Sequence, residues 1–263
     1  MRVVSYRRDD GAVRFGIVDG ETVFDAGTRL EDLTAGAAVG SLDDVRLLAP
    51  IPKPSKVICV GRNYAEHAAE TGSAVPDRPQ LFAKFANAIV GPGVDVVKPS
   101  ITNALDYEAE LVAVIGRRAT RVSETEALDF VFGYTCGNDI SARDLQFGDT
   151  QWLRGKSLDT FAPTGPWIVT ADEIPDPQVL PIRCRVNGEL RQSDTTANMV
   201  FSVAQIIAFA TEAITLEAGD VIFTGTPSGV GHGMHPPRYL TVGDAVRVEI
   251  DGIGAIEQRI VSA

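Results

Sequence analysis

The sequence predicts an α+β fold that is dominated by β-strands. Three observations lead to this prediction: many short apolar and β-branched runs, few runs with helical spacing, and frequent turn residues, among them 25 Gly and 15 Pro. The chain has 263 residues, which is enough for one large domain and one small domain. We therefore expect a small β-rich N-terminal domain at residues 1–50 and a larger domain at residues 51–263.

The N-terminal region has the pattern of a small antiparallel sheet. Two Asp-Gly pairs, at positions 10–11 and 19–20, are typical hairpin turns. They separate strand-like runs at Arg2–Tyr6, Val13–Val18 and Thr22–Asp25, and a short helical piece is expected around Leu30–Leu33. Three prolines within residues 50–54 then indicate a stiff linker. Since nothing before Pro50 forms a chemical cluster, we interpret this region as a lid or packing domain.

The larger region alternates strand-like runs with a few helical ones. Strands are predicted at Lys56–Gly61, Gln80–Phe85, Ala88–Val90, Asp95–Lys98, Leu105–Gly116, Trp167–Val169, Ile182–Val186, Glu189–Gln192, Asp220–Phe223, Ala245–Ile250 and Ala255–Val261. Helices are predicted at Asn63–Glu70, at Glu124–Phe132 with Ser123 as cap, from Arg143 onward with Gln146 on the adjoining turn, and at Ser202–Ile214.

Two acidic motifs suggest a metal site. On a strand, Glu108 and Glu110 point to the same face, because successive side chains alternate. A second motif, Gly137–Asp144, contains Asp139. If Asp139 meets the two glutamates, the three carboxylates form an oxygen-only site suited to Mg²⁺ or Mn²⁺. The alternative is that the glutamates line a solvated strand face.

A candidate general base lies nearer the N-terminus. His67 and Glu70 are three residues apart on one face of the predicted helix. A carboxylate beside an imidazole fixes its tautomer and allows it to act as a general base. An incidental ion pair on a surface helix is the alternative interpretation.

Three cationic residues have two possible roles each. Lys84 is either a surface lysine or a cation of the site. Arg143 either holds nearby carboxylates or binds a substrate carboxylate through its forked donors. Lys156 lies in a Gly-Lys-Ser sequence, but Thr150 stands where a phosphate-binding loop requires its first glycine. We therefore expect Lys156 to be a cation beside the metal site, where it could neutralise an enolate oxygen.

The glycines of Thr224–Gly231 lack the spacing of a dinucleotide-binding loop, and two prolines follow instead of a helix. His232 and His235 come directly after this loop. They belong either to a surface loop or to the entrance of the site.

Five motifs occur in an order that resembles the fumarylacetoacetate hydrolase family, in its bacterial form with a short N-terminal domain. They are Gly61–Glu70, Tyr107–Glu110, Gly137–Asp144, Gly155–Ser157 and Thr224–Pro227. The resemblance implies a mixed β-roll, normally dimeric, with a metal site at its mouth. It also implies a water-activating pair at His67 and Glu70, and substrate-binding residues at Arg143, Gln146 and Thr226.

This resemblance implies chemistry on a small-molecule 2-oxo acid through an enolate. The main expectation is hydrolysis of a C–C bond in a 2,4-dioxo acid, in the breakdown of aromatic compounds or sugar acids. The alternatives are an isomerase of the 2-hydroxyhepta-2,4-diene-1,7-dioate type and an oxaloacetate decarboxylase, which would use the same enolate site. A binding protein that keeps the metal but has no catalysis is the alternative from another class.

Charge and cysteine usage exclude other classes. The net charge of −11 argues against nucleic acid binding, which relies on Lys and Arg. Cys59, Cys136 and Cys184 are too widely spaced for a zinc site or a disulfide framework, so we expect free thiols. With no signal-like or membrane-spanning segment, we expect a cytoplasmic protein, and the family resemblance implies a homodimer.

Overall fold

The computed structural model describes all residues, 1–263. The strands are β1 Arg2–Arg7, β2 Val13–Asp19, β3 Thr22–Gly27, β4 Ala38–Ser41, β5 Arg46–Leu47, β6 Val57–Gly61, β7 Gln80–Lys84, β8 Ile89–Val90, β9 Val96–Lys98, β10 Leu105–Asp106, β11 Ala109–Ile115, β12 Val131–Asn138, β13 Ser141–Ala142, β14 Ala162–Thr170, β15 Pro181–Val186, β16 Glu189–Thr195, β17 Val221–Phe223, β18 Ala245–Ile250 and β19 Gly254–Ser262. The helices are α1 Ala65–Glu70, α2 Arg143–Gly148, α3 Leu153–Lys156 and α4 Val203–Ala213. The predicted β-dominated α+β fold is confirmed.

One long mixed sheet runs through the molecule. Its strand order is β4-β3-β2-β1-β14-β12-β11-β17-β6-β7, with β5 paired to β1 and β8 paired to β14. Most neighbours are antiparallel, whereas β17 and β6 are parallel. The N-terminal strands continue this sheet, because β1 pairs with β14 through Arg2–Val169 and Val3–Ile168. They also enclose a small apolar cluster of their own, formed by Val4, Tyr6, Val18 and Val23.

A second sheet covers one face of the first. It has five strands in the order β16-β15-β18-β19-β9, and β18 and β19 pack against β12 and β14. The main core of 49 buried apolar residues lies largely among these strands. β11 is buried along its whole length, as expected for a strand whose two faces are both covered. No helix is long and apolar enough to span a membrane; the longest, α4, has 11 residues.

The helix predicted at Glu124–Phe132 is wrong. Only Ala127–Phe130 form a short 3-10 turn, and Val131 already begins β12. Val131 pairs with Ile115 on β11, so from this residue onward the backbone hydrogen bonds go to a neighbouring strand instead of continuing the turn. Local apolar spacing predicted the helix, but tertiary pairing overrides a weak local preference.

Two smaller differences concern the site. The strand predicted at Leu105–Gly116 is interrupted at Tyr107 and Glu108, which lie between β10 and β11. Asp139 donates its backbone N–H to the carbonyl of Glu108 at 2.9 Å, and the amide of Glu108 bonds to the Asn138 side chain at 3.0 Å. These bonds hold the interruption in place. Gln146 lies inside α2 instead of on the adjoining turn.

A polar network stabilises the N-terminal strands. Asp25 on β3 accepts two hydrogen bonds from Arg14, at 2.5 and 2.6 Å, and one from the Tyr6 hydroxyl at 2.7 Å. The backbone N–H of Gly27 donates a fourth at 3.0 Å. Chiefly through the Arg14 hydrogen bonds, this environment holds the pKa of Asp25 below its ordinary value.

We expect Asp25→Asn to lower the free energy of unfolding at pH 7 by about 1–3 kcal/mol, the usual loss for a charge-assisted hydrogen bond. A depressed carboxyl pKa stabilises the fold above the unfolded-state pKa of about 3.9 and stops doing so as pH falls through the folded-state value. The difference between the variant and wild type should therefore begin to shrink below about pH 4 and shrink further as the pH falls, in denaturant titrations. Asp9→Asn, at an exposed position, is the control. An equal difference at pH 7 and pH 3 would contradict this assignment.

Candidate active site

The site lies at one edge of the main sheet, where four strand ends meet. β11 is antiparallel to both β12 and β17, and β6 is parallel to β17. The start of β11 therefore lies beside the ends of β12, β17 and β6. Asp139 follows β12, Thr226 follows β17, and Arg62 follows β6. Residues far apart in the chain are in this way brought to one edge.

Glu108, Glu110 and Asp139, here named the carboxylate triad, come together at this edge. One carboxylate oxygen from each lies within 4.8 Å of the others, and all three side chains are buried. Burial of three like charges is unfavourable unless positive charge compensates them. The structure thus excludes the alternative of a solvated strand face for these glutamates.

Two cations predicted to belong to the site bind the triad. Lys156 Nζ lies 2.8 Å from Glu108 and 2.9 Å from Asp139. Arg143 pairs with Glu108 at 2.7 Å. Burial alone would raise the pKa of Glu108, but the charges of Lys156 and Arg143 outweigh it and hold this pKa below its ordinary value. Of the two roles expected for Arg143, this contact corresponds to the first, in which it holds nearby carboxylates.

Lys84 is a third cation of the site, and sequence reasoning left it undecided. Its side chain is fully buried, with Nζ 2.6 Å from Asp139 Oδ1. Nζ also donates to the carbonyls of Ile140, Lys156 and Phe161 at 3.0, 2.5 and 2.8 Å. Its place at the end of an apolar run on β7 was the available signal, but that position does not reveal which carboxylate it meets.

Asp106 was missed altogether. This buried carboxylate accepts hydrogen bonds from Arg143 Nε at 2.9 Å and from the backbone amides of Gly231 and His232 at 2.8 and 3.0 Å. It joins the loop after β17 to the cations of the site. Its only sequence signal was its position two residues before Glu108, which an ordinary strand residue could equally occupy.

Glu110 is the member of the triad without a cationic partner. Its one protein hydrogen bond comes from the backbone N–H of Gly225, at 2.7 Å to Oε2. Burial, together with the charges of Asp139 and Glu108, holds the pKa of Glu110 well above its ordinary value. A buried carboxylate with this deficit of positive charge is where a bound cation would be most stabilising.

The triad therefore fits a divalent metal ion. Its donors are carboxylate oxygens alone, the set that hard cations such as Mg²⁺ and Mn²⁺ prefer. Each carboxylate oxygen has two lone pairs, so the ion pairs with Lys156 leave capacity for a metal. The geometry does not separate Mg²⁺ from Mn²⁺.

His67 and Glu70 form the expected pair on α1. His67 Nδ1 lies 2.8 Å from Glu70 Oε1, and Glu70 Oε2 accepts the backbone N–H of Gly229 at 2.8 Å. Glu70 is thus fixed by the loop after β17. With Nδ1 held by Glu70, Nε2 is the free nitrogen of the imidazole.

A cavity of about 70 Å³ lies in front of these groups. Seven of the nine predicted site residues line it, whereas Glu70 and Asp139 lie behind the wall. The seven are His67, Glu108, Glu110, Arg143, Gln146, Lys156 and Thr226. Because the cavity is small and most of its lining residues are polar or charged, it favours a compact, polar ligand.

The three predicted substrate-binding residues differ in their free hydrogen-bonding capacity. Arg143 keeps one buried guanidinium nitrogen, Nη2, without a partner. Gln146 accepts from Arg143 at 3.1 Å through its oxygen, which leaves its amide nitrogen. The Thr226 hydroxyl already donates to the carbonyl of Ala109 at 2.9 Å and accepts from Gln192 at 2.7 Å. Thr226 therefore lines the cavity, but its hydroxyl proton is already donated to a backbone carbonyl.

The two late histidines lie apart from the triad. His235 is exposed. His232 is partly buried, bonds to the Tyr239 hydroxyl at 2.8 Å and lies against Phe147, with ring centroids 5.1 Å apart. Since Phe147 lines the cavity, His232 supports the entrance and His235 belongs to the surface loop.

Comparison with known proteins decides the family. Residues 56–261 match the family model described as fumarylacetoacetate (FAA) hydrolase C-terminal. The chain belongs to the fumarylacetoacetate hydrolase family. A second family model, described as Rv2993c-like, N-terminal, matches residues 1–50. The family predicted from the five motifs is confirmed, and with it the β-roll.

The relatives of this fumarylacetoacetate hydrolase family member are named for different reactions. Oxaloacetate tautomerase YisK of Bacillus subtilis is 49% identical over 230 residues, which cover 86% of this chain and 76% of that protein. The solved fumarylacetoacetate hydrolase from Exiguobacterium antarcticum has a TM-score of 0.89 and 42% identity, with 100% of both chains covered. The 2-hydroxyhepta-2,4-diene-1,7-dioate isomerase of Mycobacterium marinum has a TM-score of 0.87 and 39% identity, covering 100% of this chain and 98% of that one. The protein is therefore an enzyme of this family.

Glu110→Gln should separate metal binding from folding. The glutamine keeps an oxygen for the Gly225 amide and removes a buried charge that no cation compensates, so the metal-free protein should melt at the wild-type temperature or above. Mg²⁺ and Mn²⁺ binding should weaken at least about 100-fold, since even indirect partners of metal ligands are worth 10–100-fold. Calorimetric titration and thermal melts measure the two effects.

Asp139→Asn is the contrasting variant. It should also lose metal binding, but it leaves Lys84 and Lys156 short of a partner and should destabilise the metal-free protein by about 3–5 kcal/mol. If Glu110→Gln retained metal-induced stabilisation, Glu110 would not be a ligand.

Proposed function

We propose that this enzyme interconverts the keto and enol tautomers of a short 2-oxo acid of the oxaloacetate type. One observation carries the proposal: the free face of the His67–Glu70 pair opens onto the same small cavity as the cations that hold the carboxylate triad. Tautomerisation requires a base beside a carbon and positive charge beside an oxygen, and this cavity offers both.

The chain's own cations bind and orient the acid end of the substrate. Arg143 has an unpartnered buried Nη2 that is available to a carboxylate. Lys156 lines the same cavity with an ammonium held at 2.8 Å from Glu108. A divalent cation in the triad would add Lewis-acid polarisation of the 2-oxo group. Placing these charges before the reaction begins avoids reorganisation when the enolate charge develops.

His67 moves the proton. Because Glu70 holds Nδ1, the lone pair of Nε2 is the base that accepts a proton from the carbon next to the 2-oxo group. The electron pair of the broken C–H bond forms the C=C bond, and the carbonyl electrons move to oxygen. The imidazolium then returns its proton to that oxygen, which gives the enol. No water molecule enters this sequence.

The names of the relatives favour proton transfer over C–C hydrolysis as the reaction. The Bacillus relative at 49% identity is named a tautomerase, and the Mycobacterium neighbour is named an isomerase. The hydrolysis expected first from the sequence is a second candidate, since the Exiguobacterium neighbour is named a hydrolase. Both reactions would use the same base, with hydrolysis requiring in addition a water molecule and room for an acyl group.

His67→Ala should lower the rate of oxaloacetate enolisation by about 10²–10⁴, the usual contribution of a positioned acid or base. The rate is followed through the ultraviolet absorbance of the enol, after subtraction of the uncatalysed reaction. Glu70→Gln should lose less, because it leaves the imidazole in place. Metal affinity should be unchanged in both variants, since neither residue belongs to the triad.

Hydrolysis of acetylpyruvate and release of pyruvate from oxaloacetate are measured on the same preparations. Wild-type enzyme that hydrolyses acetylpyruvate but does not accelerate enolisation would favour the second candidate. A His67→Ala variant with the wild-type enolisation rate would remove His67 from the mechanism.

A further inference from the structure

One cation on the cavity wall is left unpaired. Arg62 lines the cavity, and its guanidinium has no hydrogen bond or ion pair within the chain. The other two wall cations, Arg143 and Lys156, are both bound to buried carboxylates. In a protein with a net charge of −11, an arginine that finds no acidic partner is available to an anion from outside.

The surroundings of Arg62 hold its side chain in place. Its backbone has a φ of +58°, in the left-handed region that non-glycine residues rarely adopt. Its guanidinium lies over the ring of Trp152, 5.7 Å from the centroid, which is a cation–π contact. A Cβ atom at position 61 would lie only 2.8 Å from Trp152 Cζ3. Gly61, which has no side chain, therefore leaves room for the Trp152 ring. Strained backbone of this kind clusters at binding sites.

The sheet sets the separation between Arg62 and the triad. Arg62 follows β6, which lies two strand positions from β11. Two strand spacings are about 10 Å. A four-carbon acid whose 2-oxo end lies at the triad extends its other end across part of this gap, and the long arginine side chain can cover the remainder.

We propose that Arg62 binds the second carboxylate of a dicarboxylate substrate, and that the enzyme thereby selects 2-oxo diacids over 2-oxo monoacids. The planar guanidinium fork matches a carboxylate with two parallel hydrogen bonds. The inference rests on the proposed function for the position of the 2-oxo end. It adds a specificity-determining residue that takes no part in the proton transfer.

The test compares the binding of malate and lactate, two 2-hydroxy acids that differ in the distal carboxylate. Wild-type protein with saturating Mg²⁺ should bind malate more tightly than lactate in calorimetric titrations. Arg62→Gly removes the guanidinium, and glycine adopts the left-handed backbone freely, so the fold is retained. This variant should lose about 10–100-fold in malate affinity, the range for a charge-assisted contact. Its affinities for lactate and for oxalate, which lacks a distal group, should stay within about twofold.

Two further variants control for charge and for shape. Arg154→Gln removes one positive charge from an exposed side chain on α3, outside the cavity, and should leave malate binding unchanged. Arg62→Lys keeps the charge without the fork and should recover part of the affinity. Equal loss for malate and oxalate in Arg62→Gly, or wild-type protein that does not prefer malate to lactate, would overturn the inference.

Binding and turnover separate this inference from the proposed function. If Arg62→Gly loses malate affinity while wild-type protein does not enolise oxaloacetate, the proposed function fails and the diacid site stands. If oxaloacetate is enolised and malate binding is indifferent to Arg62, the diacid site fails and the proposed function stands.

Discussion

Burial of acidic side chains at one edge of the main sheet is the constraint on which the rest of this structure depends. The triad and Asp106 together bury four carboxylates. Three buried cations, Lys84, Arg143 and Lys156, are arranged around them. Removing one partner from such a network leaves an uncompensated buried charge, so each cation is needed by the fold as well as by the chemistry. Only Glu110 has no cation, and this deficit makes the triad suited to a metal.

The general base is positioned by the same loop that completes the charge network. Asp106 accepts the amides of Gly231 and His232, and two residues earlier the amide of Gly229 binds Glu70. Gly231 passes so close to its neighbours that a side chain there would meet the carbonyl of Arg238 at 2.2 Å. The close approach allows one loop to bind Asp106 and Glu70 together. Through Glu70 and this loop, the orientation of His67 therefore depends on the position of Asp106.

This arrangement determines an intermediate more closely than it determines a reaction. A 2-oxo acid held by cations at its acid end and facing His67 can form an enolate in tautomerisation, decarboxylation or C–C cleavage. The reactions differ in what lies at the far end of the substrate, where an acyl group, a carboxylate or a diene must be accommodated. That end of the cavity is formed by residues such as Arg62 and Trp152, outside the triad and the base. The side chains at the far end of the cavity are thus distinct from those that hold the triad and from the base.

The sequence by itself determined the β-dominated fold, the family, and several of the residues that gather at the site, because these depend on local spacing and on motifs a few residues long. The predicted strand alternation brought Glu108 and Glu110 to attention as a pair, although Glu108 lies just before β11, and His67 meets Glu70 through the helical repeat. Tertiary structure decided which groups compensate the buried charge. Lys84 meets Asp139 across 55 residues of sequence, and Asp106 meets the amide of Gly231 across 125. It also replaced the predicted helix at Glu124–Phe132 with a short 3-10 turn that leads into β12, and it engaged the Thr226 hydroxyl with Ala109. Pairing between distant strands has no local signature, because the same short run of residues is compatible with several partners until the sheet is assembled.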